Sequence, residues 1–341
     1  MFAFLLLFIA LAPGAFASHR RSSARVHNRA GTTPIDERAI TTVTGRPAFR
    51  TENASVVSLS ITPHHSPTIP IMPTGKCKMC LQETQLVKSH LIPAALHDYC
   101  RKGEHRPIKL GGGFVLPTDR QTQDYLLCEH CEKVLNSGGE TWILDKLATW
   151  EQKFPLYDLL AKVPPFFDED GMAIHLTAQN SAIDSQKLTH FALGLFWKAS
   201  VHSWLADRTD PRIDLGPYSE EMRKWLLGKA PFPANLYLVV IIEKPERAQI
   251  TMLDPYEAER DNWRTHFCHV PGVLFMMALG KTVDESIRAI SINSNGNPIN
   301  ISDALTGRVE ALLVQAFRDS RKTQAFLRAK AKADEERKRQ R

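Results

Sequence analysis

Several signatures that would assign a chain quickly are missing from this one. There is no Gly-rich phosphate loop ahead of a helix, no Gly-x-Ser-x-Gly turn and no internal repeat. These absences argue against a P-loop or dinucleotide-binding fold, an α/β-hydrolase and a solenoid. Cysteine is scarce at six residues in 341, too few for a disulfide-dense scaffold. Lysine is missing altogether from the first 75 residues, although nineteen follow from Lys76 onward. The segment from Ser18 to Ile71 is instead rich in Ser, Thr, Pro and Arg and shows no sustained helical or strand period.

The chain also lacks a long hydrophobic run. Phe2 to Leu11 is apolar and Ala15-Phe16-Ala17 offers a small-x-small cleavage site, as in a secretory signal. No Lys or Arg precedes that run, however, and Pro13-Gly14 breaks it before it could cross a bilayer. Two readings stay open. The protein is exported with a disordered pro-region, or it is cytoplasmic and its recorded start lies upstream of the true one, near Met72. Thiolate metal chemistry favours the cytoplasmic reading, because an oxidising compartment converts such cysteine pairs to disulfides.

What is present is a globular composition, 43% hydrophobic and 23% charged, in a chain long enough for two domains. The formal charge of +6 is carried largely by one place. Arg321 to Arg341 holds nine Lys/Arg against Asp334, Glu335 and Glu336. That tail reads either as a solvated helix end or as a phosphate-contacting arm.

Along the body, Thr84 to Lys88 reads as a strand, and Pro93 opens a helix through about Lys102. Gly103 to Gln123 is a loop containing Gly111-Gly112-Gly113. A helix follows the second cysteine pair, with an interruption expected at Gly138-Gly139 before Thr141 to Lys153. Ser185 to Leu205 is the clearest amphipathic helix, with Leu188, Phe191, Ala192, Leu195, Phe196 and Ala199 recurring at three and four. A short helix starts at Ser219 and ends by Gly228. Strands are expected at Leu236 to Ile242, Ala248 to Leu253 and Thr265 to Val270, with apolar Val273 to Leu279 after a Pro271-Gly272 turn. A helical pattern from Ser302 through Leu305, Val309, Leu312, Leu313 and Phe317 leads into the basic tail.

The strongest chemical signal is the cysteine spacing. Cys77-Lys78-Met79-Cys80 and Cys128-Glu129-His130-Cys131 are two CxxC pairs with a long insert between them. Each short turn presents two thiolates to one side, and two such turns make the tetrahedral set that zinc prefers. Four cysteines leave no open coordination position, so the zinc is expected to be structural. Cys100 and Cys268 fall outside the scheme as small buried hydrophobes. His90, just ahead of a helix, is the candidate reactive group, since a His there can be held with one ring nitrogen toward a backbone carbonyl and the other toward water, as a general base requires.

In order, CxxC, strand, Ser89-His90-Leu91-Ile92-Pro93, loop, Leu127-Cys128-x-x-Cys131 and helix resemble the zinc-containing HNH endonucleases, over Cys77 to about Glu140. The rest is similar to what accompanies uncharacterised bacterial proteins with a Ser-His-Ile-Ile-Pro version of the motif. The resemblance implies a treble-clef, ββα-metal domain in which His90 activates water and one Mg²⁺ or Mn²⁺ steadies the phosphodiester. It further implies that Gln123 orients His90, and that Ser89, Glu132 and Asn136 line the cation site, with Glu140 a further candidate. Ser89, Gln123 and Glu132 depart from the family's usual Asp, Asn, and Asn or His. The expected protein is therefore α+β. It comprises a leader (1–71), a four-cysteine zinc HNH-like domain (72–150), an α+β domain of unknown role (151–300) and a basic C-terminal helix (301–341). The expected partner is nucleic acid, DNA more than RNA. The expected activity is metal-dependent DNA hydrolysis, and the alternative is a zinc-organised nucleic-acid or protein binding module without turnover.

Overall fold

The computed structural model describes residues 72–341 except 102–107, 112–113, 179, 205–212, 259–262, 304–305, 308–309, 312–313, 315–316, 319–320 and 340–341. The leader and Leu305, Val309, Leu312 and Leu313 of the expected late helix lie outside the described residues. All described residues belong to one compact unit.

Among the described residues the first elements are β1 (Thr74–Lys76), β2 (Glu83–Gln85), β3 (Val87–His90) and α1 (Ala94–Tyr99). The hairpin of β4 (Ile108–Gly111) and β5 (Phe114–Pro117) precedes β6 (Gln123–Leu127), which runs into α2 (Glu129–Leu135). After it come α3 (Pro155–Leu160), β7 (Phe167–Glu169), β8 (Met172–Leu176), α4 (Ser185–Val201) and α5 (Tyr218–Leu226). Strands β9 (Leu236–Ile242), β10 (Leu253–Ala258), β11 (Arg264–Val270) and β12 (Val273–Leu279) follow. Last are α6 (Glu285–Ala289), β13 (Pro298–Ser302), β14 (Arg321–Lys322) and α7 (Gln324–Arg339). The fold is α+β, as expected.

Its centre is a seven-stranded sheet in the order β10-β11-β12-β9-β13-β8-β7, antiparallel except where β13 runs parallel to β9. Alternation along β9 divides its side chains between two cores. Leu238, Val240 and Ile242 join a cluster that contains α4 through Leu188, Phe191 and Leu195. Val239 and Ile241 join another with Ile287 of α6. The first cluster is continuous across Trp150, taking in Cys77, Met79, Leu127, Cys131 and Leu135 together with the sheet. The cysteine region is thus built onto the sheet through shared apolar burial, the dominant favourable term in folding.

Several elements differ from expectation. The expected strand from Thr84 divides at Leu86 into β2, paired with β1, and β3, paired with β6. The expected loop from Gly103 holds the β4–β5 hairpin, and its strand β5 also takes up β14 from the tail in parallel. The helix expected at Thr141 to Lys153 stops at Lys146. Ala248 to Ile250 is not strand, and the pairing with β11 begins at Leu253. Helix α4 starts where expected, capped by the Asp184 carboxylate accepting from the Lys187 N–H at 2.9 Å, but ends at Val201 rather than Leu205.

Gly138-Gly139 does not interrupt its helix. Instead α2 continues into a π-helical turn, Asn136–Glu140, laid against α4. A Cβ on Gly139 would lie 2.3 Å from the Lys187 carbonyl oxygen, and one on Gly138 would lie 2.2 Å from the His190 ring. The glycines serve close approach, not chain breaking.

Candidate metal centre and its neighbours

The first knuckle grows from the β1–β2 hairpin, whose register ends at Lys76↔Glu83. Across the turn the Cys77 N–H donates to the Gln82 carbonyl and the Leu81 N–H to the Cys77 carbonyl, both at 2.9 Å. Closing the turn puts Leu81 at φ 67°, a left-handed conformation that disfavours a branched side chain. Met79 is fully buried and plugs the turn into the shared core. The second knuckle stands at a strand-to-helix junction, with extended Cys128 capping α2 and Cys131 in its first turn. The two are joined by the Lys78 N–H to the Leu126 carbonyl, 3.1 Å, and by the Cys128 N–H to Cys77 Sγ, 3.3 Å.

The four Sγ atoms all lie within 4.8 Å of one another, and Cys80 Sγ is 3.9 Å from Cys128 Sγ. Zinc–sulfur bonds of about 2.3 Å in a tetrahedron put sulfurs about 3.8 Å apart, so the donor set fits zinc in both chemistry and spacing. Among the described residues this is the one group of three or more Cys, His, Asp or Glu close enough to share an ion. Without a cation the sulfurs compete for protons. Donation from the Cys131 thiol and nearby backbone N–H groups pull Cys77 down to about 4, whereas Cys131 is driven well above the ordinary thiol range by that same bond and by burial. A divalent ion removes this conflict by holding all four as thiolates.

Beside the knuckles, β3 pairs with β6 so that Ser89 faces Asp124 and His90 faces Gln123 across the ladder. Ser89 is fully buried and its hydroxyl has no hydrogen-bond partner. His90 is half-buried. Burial chiefly, and the nearby Lys198 charge, lower its pKa below the ordinary value, while Glu132 and hydrogen bonds with Gln121 and Gln123 oppose them. Glu132, next to Cys131, is half-buried with a buried, unpartnered Oε1. Glu140, at the end of the π turn, has its pKa raised, chiefly by burial and also by Glu132. Asn136 is exposed at the start of that turn.

The residue that organises this junction was not among the expected ones. Lys198 of α4 is 4% exposed, and its ammonium donates to the His90 carbonyl oxygen at 2.6 Å. Burial lowers its pKa, and the charges of Glu140, Glu132 and Cys268 oppose that shift. A small cavity with room for about one water is lined by Lys198, Glu140, His190 and apolar α4 residues. One turn on, His202 Nε2 lies 2.8 Å from Asp124 Oδ2 of β6. Phe191, Leu195 and Lys198 follow four-three spacing, one stripe of the helix, and His202 stands just past its end in extended conformation. A lysine on the apolar stripe of a core helix was the signal available in the sequence.

The chain matches no family model, no curated protein and no solved structure. No helix among the described residues is long and apolar enough to cross a membrane.

Proposed function

We propose that this chain is a zinc-organised nucleic-acid-binding module in which the His90 centre is a structural junction and not a hydrolytic one. Lys198 carries the reading. A hard catalytic cation such as Mg²⁺ or Mn²⁺ needs anionic oxygens with vacant charge. Here the carboxylates Glu132 and Glu140 share their surroundings with a buried ammonium, whose charge opposes entry of a second cation. The order β3, β6, α2 around the knuckles supports a treble-clef, ββα arrangement. The Lys/Arg excess of Arg321 to Arg341, most of it on α7, supports a polyanionic partner such as nucleic acid.

A second reading, the HNH-type endonuclease, has one observation in its favour. His90 is biased toward the neutral form, with Gln121, Gln123 and Glu132 around it, as a general base requires. In that reading Ser89, Glu132 and Asn136 would serve a Mg²⁺ or Mn²⁺ ion. Fluorescence anisotropy with labelled duplex DNA over a salt series, alongside plasmid cleavage in Mg²⁺ and Mn²⁺, separates the two. Salt-dependent binding without cleavage is expected. Cleavage that disappears in His90→Ala establishes the nuclease instead, and absence of binding at low salt removes nucleic acid as the partner.

A further inference from the structure

The metal centre has a neighbour from the opposite side of the sequence. Arg223 of α5 donates through Nη1 to the carbonyl oxygen of Met79, inside the Cys77–Cys80 turn. Its other edge is fixed by Glu220, with Nε and Nη2 each 2.7 Å from a carboxylate oxygen. The side chain is only 12% exposed although its partner Glu220 is 52% exposed, so the guanidinium lies inward, over the knuckle. The paired hydrogen bonds to Glu220 hold the guanidinium charged and oriented.

A zinc ion bound by four thiolates carries a net double negative charge, and three of the four cysteines here are buried. Such a site needs outer donors and positive charge to stay stable in a poorly solvated place. The Cys128 N–H supplies one donor to Cys77 Sγ. We propose that Arg223 is an outer-sphere cation of the four-cysteine metal site, fixing the first knuckle through the Met79 carbonyl and offsetting the charge of the metal–thiolate complex. Zinc retention is then a property of the knuckles and α5 together. This rests on the zinc reading of the cysteines. Arginine suits the place because a planar fork can grip Glu220 with one edge and the carbonyl with the other, which an ammonium cannot do.

The test is competition for zinc between the full chain and a chromophoric chelator, comparing the unaltered protein with Arg223→Met, Arg223→Lys and His202→Ala. The last cuts a different tie between the sheet body and the knuckle region. Loss of an outer-sphere partner weakens metal binding about 10–100-fold, and Arg223→Met should fall in that range. Arg223→Lys should lie between it and the unaltered chain, and His202→Ala should stay at the unaltered value. Equal retention in Arg223→Met, or equal weakening by His202→Ala, overturns the proposal. If Arg223→Met fails to fold, Arg223→Lys decides: measurably weakened zinc retention in a folded protein sustains the proposal, and retention equal to that of the unaltered chain overturns it. A zinc-free unaltered protein would instead defeat the metal reading on which the proposal stands.

Discussion

Replacing Lys198 by methionine keeps the apolar stem and removes the ammonium. Three effects then compete. The charged hydrogen bond to the His90 carbonyl is lost, about 1.5–3 kcal/mol. The compensation of Glu132 and Glu140 is lost as well. Breaking a buried pair costs about 3–5 kcal/mol, but these carboxylates are only half-buried and the term is correspondingly smaller. Against both stands relief from burying an ammonium at 4% exposure. The net expectation is a loss of about 2 kcal/mol, or about 4–8 °C in melting temperature for a body of this size. The sharper signature is a change of sign. Glu140→Gln alone should destabilise, because it strips a counter-charge from Lys198, yet in the Lys198→Met background it should be neutral or stabilising. Circular-dichroism melts and urea titrations of the four zinc-saturated proteins at neutral pH read the cycle. Equal cost of Glu140→Gln in both backgrounds would refute the charge coupling, since independent sites add.

Three further outcomes follow from single features. Leu81→Gly should raise stability by about 0.5–1 kcal/mol in urea unfolding, because relief of the left-handed backbone outweighs the added freedom of the unfolded chain. His266 is fully buried with neither ring nitrogen bonded, and burial, then Arg264, lowers its pKa to about 4. Between pH 6.5 and 4 the unfolded chain takes up a proton that the folded one refuses. Stability should therefore fall by up to about 3 kcal/mol as pH drops through that window, and His266→Leu should flatten the fall in a pH series of melts. Cutting the tail after Leu327 spares β14 and buried Phe326. It should weaken duplex binding and reduce the slope of log affinity against log salt by about 0.9 for each phosphate contact removed, with an unchanged slope ruling out contact by the tail.

The parts legible in the sequence were those encoded by local pattern. Two CxxC pairs gave the metal centre because ligand spacing is a short-range property. β9 read correctly because a seven-residue apolar run is ordinary for a strand buried on both faces, whereas Val273 to Leu279, which forms β12, read only as apolar. Strands β7, β8 and β13 were missed. They are three to five residues long, and the parallel β13–β9 pairing that places them joins distant segments. Leu81 gave no warning of its positive φ, since the usual marker there is glycine. Gly138-Gly139 was visible but ambiguous, because composition does not distinguish a broken helix from one pressed against a neighbour. Of the candidate site, the structure brings His90, Glu132 and Glu140 into one electrostatic neighbourhood. Lys198 and Arg223 come from helices more than a hundred residues away from the carbonyls they bind, a pairing with no local trace.

The most direct test of the whole account is metal analysis of the purified protein by plasma mass spectrometry, with unfolding followed in parallel. One zinc per chain is predicted, lost in Cys77→Ser together with the structure of the knuckle region, because the remaining thiolates cannot close the tetrahedron. Well-folded protein carrying no zinc, and indifferent to Cys77→Ser, would contradict it.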